Sequence, residues 1–314
     1  MRNSMTSSAV LFLVASALVT GARSGVLAQA ATDSSRTVHV TAIDRKGSAA
    51  NDLQAAEFEA KLGSKRLQVI SAEPARAPMR IALVVSDAGT GGFQGGLANL
   101  IQKLSGHAEL ALVSSVVQPE IVVDYTSDSS VLRAGLRRLG PRGLQRGAQL
   151  LETIQDATKH VRREGTRPVI VVVRVGGEAS TIVSGKDVRE QLQKSGAILY
   201  VVSTVGAQRS APSQARQGIS TEQAQLHDDE AVESEHNLAT VLGDGSRESG
   251  GHHVQVLSTT LIPTLERLAD ELLNQYVLTC VLPDGVRSTD KLSISSKRKG
   301  VTVRAPSRIP PSHF

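Results

Sequence analysis

The chain has 314 residues, enough for one large or two modest domains with a sizeable core. Aromatic residues are only 2% of it, so the stacking platforms that hold single-stranded nucleic acid are missing, and 35 Lys and Arg against 30 Asp and Glu is a mild basic excess. The single cysteine, Cys280, excludes an internal disulfide, so stability must come from burial.

Residues 1–30 read as a signal peptide. Arg2 gives a positive start, Ala9 to Thr20 an apolar centre, and Ala28-Gln29-Ala30 a small-x-small cleavage site. The mature chain is expected to begin near Ala31 and to be exported, periplasmic or extracellular. An apolar run of about a dozen residues falls short of the roughly 20 that span a bilayer. No other segment has a spanning pattern, so no membrane span is expected after signal removal.

An N-terminal β module is expected over 36–75. Thr37 to Ile43 alternates with period two and Asp44 to Gly47 reads as a turn. A short helical turn over Leu53 to Phe58 precedes a hairpin, with strands Phe58 to Leu62 and Lys65 to Ile70 about a Gly63-Ser64 turn. Alone it is too short to bury its own core. Pro74 and Pro78 mark the link to an α/β domain over 79–274. Ile81 to Val85 is continuously apolar, the pattern of a strand buried on both faces. It stops at Ser86-Asp87, opens into glycines, and leads to a helix with Phe93, Leu97, Leu100, Ile101 and Leu104 on one stripe. Strand, polar turn, helix is where an open α/β sheet places a ligand.

His107 to Val117 and Glu120 to Asp124 flank Gln118-Pro119 and predict an antiparallel pair. Ser130 to Leu139 and Gln149 to Arg163 read as helices, Pro168 to Val173 as a second core strand, Val188 to Lys194 as a helix, and Ala197 to Val202 as a third strand. The alternation predicts a mainly parallel sheet covered on both faces. Residues 206–251 are polar and read as a mobile insertion, helical in part around Ser220 to Leu242. His253 to Leu257 is a last strand, entered through His252-His253. Leu261, Leu265, Leu268 and Leu272 line a final helix. C-terminal strands over 275–305 are expected to pair with the N-terminal module and close a small sandwich. Cys280, in the strand-like run Tyr276 to Leu282, reads as a buried, inert thiol.

Chemistry-bearing patterns are thin. Gly89-Thr-Gly-Gly-Phe-Gln-Gly95 has the spacing GxGxxxG rather than the dinucleotide GxGxxG, and lacks a P-loop Lys. His227 to Glu230 with Glu233, Glu235 and His236 forms the densest ligand-capable cluster. On a helix, Asp229, Glu233 and His236 share a face that could hold a divalent ion, though a solvated acidic surface is the favoured reading. Ser86 with His107 or His160 is the only candidate nucleophile and base, and no GxSxG elbow exists. The chain reads as non-enzymatic, with an exported hydrolase a distant third reading. The basic runs Arg133, Arg137, Arg138, Arg142, Arg146 and Lys297 to Lys299 read as solvated faces, and no nucleic-acid partner is expected.

Three passages give a family resemblance. Val38 to Gly47, followed by Leu53 and Ala56-Glu-Phe-Glu59, is similar to the N-terminal strand, turn and acidic element of the bacterial VWFA-related proteins, known best in acidobacteria, which carry a von Willebrand factor type A domain. Arg80 to Gly92 resembles that domain's first strand and loop. Leu268 to Tyr276 and Lys291 to Arg304 resemble its C-terminal helix and paired strands. The resemblance implies a doubly wound, mainly parallel, Rossmann-like sheet with one antiparallel edge strand, and a metal-ion-dependent adhesion site of hard oxygen ligands. Of its Asp-x-Ser-x-Ser, this chain keeps Asp87 but has Gly89 and Gly91 for the serines. Ala148 replaces the expected Thr and Val175 the expected Asp. The expectation is therefore a degenerate site with no metal and no cofactor, in a scaffold that contacts a protein or cell-surface component through its carboxyl-end loops. These loops are Asp87 to Gly95, Leu144 to Gln149 and Gly176 to Ser184, with Asp87, Thr90, Gln145, Gln149 and Glu178 as candidate contact residues. The alternative is a divalent cation held at a remnant site on Asp87 or at the acidic insertion.

Overall fold

The computed structural model describes residues 35–87, 89–116, 118–139, 148–176, 180–205, 221–283, 285 and 289–310, with 221–228 described as backbone only. The signal peptide, Gln145, Glu178 and the insertion residues 206–220 lie outside them.

The chain is mixed α/β and built on two sheets. In the first, the strand order is β6 (Glu120–Thr126), β5 (Ala108–Ser114), β4 (Met79–Asp87), β7 (Arg167–Val175), β8 (Ile198–Thr204), β9 (His252–Val256). β4 pairs in parallel with β5 and β7, and β7–β8 and β8–β9 are also parallel. β6 pairs antiparallel with β5, with register shifts near Leu112. All of β7 is buried, and β4 nearly so. That explains the unbroken apolar runs, because helices cover both faces. On one face Ile81, Leu83, Val171 and Tyr200 pack against α1 (Gln94–Leu104), α2 (Ser129–Arg138) and α6 (Leu261–Leu273). On the other, Ala82, Val84, Val172 and Leu199 meet α3 (Leu150–His160), α4 (Gly185–Ser195) and the end of α5 (Thr221–Ala239).

Local chemistry sets the helix ends. Asp128 caps α2, its Oδ1 accepting from Ser130 N at 2.8 Å and Val131 N at 3.4 Å. α4 stops at Gly196 in the left-handed region (φ 67°).

Within the insertion expected over 206–251, the helix foreseen around Ser220 to Leu242 is present from Thr221 and continues past α5 through a π-helical segment, Thr240–Gly245, and a turn, Ser246–Glu248. The expectation of mobility needs correction for this part. Leu238, Val241 and Leu242 are buried in the core. The polar composition hid this because the apolar residues are crowded into the last turn.

The second sheet has the order β11 (Leu292–Ser296), β2 (Phe58–Leu62), β3 (Lys65–Pro74), β10 (Tyr276–Val281), β1 (Ser35–Ile43), β12 (Thr302–Arg304), with every pairing antiparallel. It is not a sandwich. Only residues 297–301 join the edge strands β11 and β12, so the sheet curls until those edges lie side by side. Val38, Val40, Phe58, Leu62, Tyr276, Leu278 and Leu292 fill its interior. Cys280 sits there too, where burial pushes its thiol up to about 11.

A buried polar network joins the sheets. Arg167 donates to Gln275 Oε1 at 2.6 Å and to the carbonyls of Ala77 and Leu272. Gln275 Nε2 donates to Tyr200 Oη at 3.0 Å and to Thr41 Oγ1 at 3.3 Å. Beside it, Arg304 on β12 binds both oxygens of Glu271 on α6, at 2.8 and 2.9 Å, and His252 Nδ1 on β9 at 2.9 Å.

Candidate functional site

At the carboxyl end of β4 the chain must turn sharply into α1, and Asp87 organises that turn. Its Oδ1 accepts from Thr90 Oγ1 at 2.7 Å and its Oδ2 from Gly91 N at 2.8 Å. Thr90 Oγ1 in turn accepts from Gly92 N at 3.2 Å, and Gly91 O from Gln94 N at 3.1 Å. Gly89 and Gly91 have φ of 95° and 70°, conformations that a side chain would strain, which is why glycines stand in this loop. Phe93 is fully buried and pins the loop to the core. Asp87 and Thr90 are thus brought together, but as partners of each other.

Val175 and Ala148, where the family resemblance expects Asp and Thr, carry no side-chain oxygen, while Ser115 Oγ, at the end of the neighbouring strand, donates to Val85 O at 3.3 Å. Val175 ends β7 beside Asp87 in the register, and a Cβ placed on Gly92 would lie 3.7 Å from its Cγ1. Ala148 contributes its carbonyl, which accepts from Ser180 N at 3.2 Å. A backbone chain knits the rim: Ser115 N donates to Val85 O, Gln149 N to Ser115 O, and Ser180 N to Ala148 O. Gln149 therefore belongs to this rim.

The loop after β7 is clamped from two helices. Glu152 Oε1 on α3 accepts from Thr181 Oγ1 at 2.9 Å and from Ile182 N at 2.7 Å. On α5, Ser234 Oγ accepts from Thr181 N at 3.4 Å and Asn237 Oδ1 from Gly185 N at 2.9 Å. A Cβ on Gly185 would approach the Asn237 carbonyl oxygen to 2.6 Å, so only glycine lets α4 start there. These clamps hold Ile182 outward at 91% exposure. Val205, Val232 and Leu257, exposed at 63%, 70% and 61%, belong to the strand ends and helix at this same end of the sheet. The composition-based reading missed them because single apolar residues in polar loops carry no periodic signal.

A second polar group lies along the same sheet edge on the α3–α5 face. Ser203 Oγ is 2.8 Å from His253 Nε2. Arg174 is buried one strand over, aligned with Ser203. Burial first, and then the Arg174 charge, holds His253 below its ordinary value. The sequence flagged His252-His253 only as a strand entry, so neither Ser203 nor Arg174 was foreseen.

The remaining candidates are dispersed. His107 precedes β5 and His160 closes α3, its carbonyl accepting from Arg80 Nε; both lie at the amino end of the sheet, a strand length from Ser86. Asp229, Glu233, Glu235 and His236 are exposed on α5. Among the described residues no group of three or more His, Cys, Asp and Glu side chains gathers around one ion position. No helix among them is long and apolar enough to cross a membrane.

No protein-family model matches the sequence, and no curated protein sequence matches it either. Solved structures similar to it include BatB from Bacteroides thetaiotaomicron, 14% identical, covering 61% of this chain and 96% of that one with a TM-score of 0.42. A von Willebrand factor type A protein from Catenulispora acidiphila is 10% identical over 88% of this chain and 74% of its own, TM-score 0.43. Proximal thread matrix protein 1 of the mussel byssus, with a zinc-occupied MIDAS motif, is 11% identical over 66% and 48%, TM-score 0.44. Likeness at this level transfers neither activity nor ligand.

Proposed function

We propose that this is an exported, non-enzymatic interaction scaffold. A doubly wound type A domain over 79–274, framed by a β module from 36–75 and 275–305, binds a protein or cell-surface component without a metal ion. The observation that carries the reading is the state of Asp87. Both of its oxygens are engaged by its own loop, and Gly89 and Gly91 in that loop and Val175 beside it in the sheet carry no side-chain oxygen. A hard divalent cation here would rest on one carboxylate whose two oxygens already accept from Thr90 and Gly91, a poor donor set for it even with water completing the shell. What the same end of the sheet does offer is apolar side chains on a braced loop, the kind of anchor that carries binding energy in protein interfaces.

Two measurements test the reading. Calorimetric titration of the mature protein with Mg²⁺, Mn²⁺ and Ca²⁺ should give no saturable heat. Saturation abolished by Asp87→Ala would instead establish the cation-dependent alternative. Partners cross-linked to the native protein in its envelope should be lost with Ile182→Asp, which leaves the clamp on the Ile182 backbone intact. Capture unchanged by that substitution would remove the contact face from this loop.

A further inference from the structure

Two helices at opposite edges of the first sheet carry opposite charge. α2 packs beside β6 and β5 at one edge, and α5 with its π segment packs on α4 and β9 at the other. Six strands at a spacing of about 4.8 Å place these edges roughly 24 Å apart. α2 holds three Arg and no acid, whereas α5 holds six Asp and Glu and no Lys or Arg. On α2, Leu132, Gly135 and Leu136 face the sheet, which leaves Val131, Arg133, Ala134 and Arg137 exposed. Arg133 donates to the neutral Gln102 Oε1 at 3.0 Å. Asp128 feels the Arg133 charge but is engaged as the helix cap, and Arg137 has no side-chain partner among the described residues.

On α5, Ser234 and Leu238 are buried, and Asp229, Val232, Glu233 and His236 share the exposed stripe at i, i+3, i+4 and i+7. Neither Asp229 nor Glu233 is in an ion pair among the described residues. Arg133 with Arg137, and Asp229 with Glu233, are like-charge pairs at i, i+4, an arrangement that destabilises an isolated helix. The two pairs thus have the same spacing, opposite sign and an exposed valine nearby. We propose that the outer face of α5 docks on the outer face of α2 of a second copy of this chain, Asp229 and Glu233 opposite Arg133 and Arg137, with Val232 and Val131 at the contact. Charges are screened over about 8 Å in physiological salt, so the two faces do not compensate each other within one molecule. Nor can two copies satisfy both faces at once, because the faces lie at opposite edges of the sheet. The contact is therefore head-to-tail, leaves one free face at each end, and lets the assembly grow. It does not depend on how the Asp87 loop functions.

Sedimentation velocity of the mature protein tests this. In about 20 mM salt the particles should grow with concentration beyond two copies, and in about 500 mM salt the same growth should need roughly tenfold more protein. Arg133→Gln with Arg137→Gln, or Asp229→Asn with Glu233→Gln, should each weaken association about tenfold. All four side chains are exposed, so the urea midpoints should stay near wild type. The two double variants mixed in equal amounts should form a pair that grows no further, because each supplies the face the other lacks. A misfolded variant could not do this. Wild-type protein that stays a single copy in low salt, even if polylysine binds at α5, would overturn the proposal. So would growth that stops at two copies, association indifferent to salt, full association by either double variant, or a mixture that stays unpaired.

Discussion

Replacing Asp87 by alanine separates two roles for one carboxylate. In the structure it accepts a hydroxyl bond at 2.7 Å and an amide bond at 2.8 Å, and its residue is 7% exposed. Hydrogen bonds to a charged acceptor contribute about 1.5–3 kcal/mol each. Thr90 is exposed, so water replaces part of the loss, leaving a net cost of about 2–3 kcal/mol. For a domain of this size that lowers the melting temperature by roughly 5–10 °C. Asp87→Asn keeps an acceptor for Gly91 N and donates to Thr90 Oγ1, and should cost less than about 1 kcal/mol. The assay is urea denaturation in chelator and again in millimolar Mg²⁺. A carboxylate kept for a cation behaves in the opposite way: its removal is neutral or stabilising without the ion, and the ion stabilises only the protein that retains it. A wild-type midpoint that rises with Mg²⁺, or an Asp87→Ala midpoint at or above wild type in chelator, refutes the loop-organising role.

Two further outcomes follow from the junction of the sheets. Gln275→Ala removes the acceptor of Arg167 and the donor to Tyr200 in a position 1% exposed, and should cost about 2–4 kcal/mol by chemical denaturation, against about 1 kcal/mol for Tyr200→Phe. Stability should also fall with acid in a window set by buried histidines. Burial, with Arg167 and Arg304 respectively, lowers His39 and His252 from 6.5 to about 4. Above 6.5 both states are neutral and the contribution is fully present. As pH falls the unfolded chain takes up protons that the native one refuses, so up to about 3 kcal/mol per histidine is lost by pH 4. Urea midpoints across that window should show the decline, and His39→Gln should make it shallower.

What the sequence revealed depended on how each segment is solvated. β4 and β7 were plain because both of their faces are buried, so the apolar run is continuous. β10 was plain for the converse reason, since Tyr276, Leu278 and Cys280 alternate with outward residues. The burial at the end of α5 was not, because only Leu238, Val241 and Leu242 carry it and the last two sit in a π segment whose wider turn breaks the helical period. Curling of the second sheet was equally hidden: it follows from the short 297–301 connection, not from any strand's own pattern. At the candidate site, Asp87 and Thr90 were each singled out from the sequence as contact residues, but their bond to each other was not legible. Nor was the Ser203–His253 contact, because it joins strands 50 residues apart.

The second sheet imposes an order on synthesis. β1 has β10 and β12 as its partners, and β3 needs β10 as well as β2. Until residue 276 leaves the ribosome, the first 40 residues of this sheet have only the β2–β3 hairpin available to them. The segment between can therefore reach its native pairing first, while the opening strands wait with unpaired edges, the condition under which nascent chains aggregate. A stalled or truncated message ending before β10 yields a polypeptide whose amino-terminal strands never find closure.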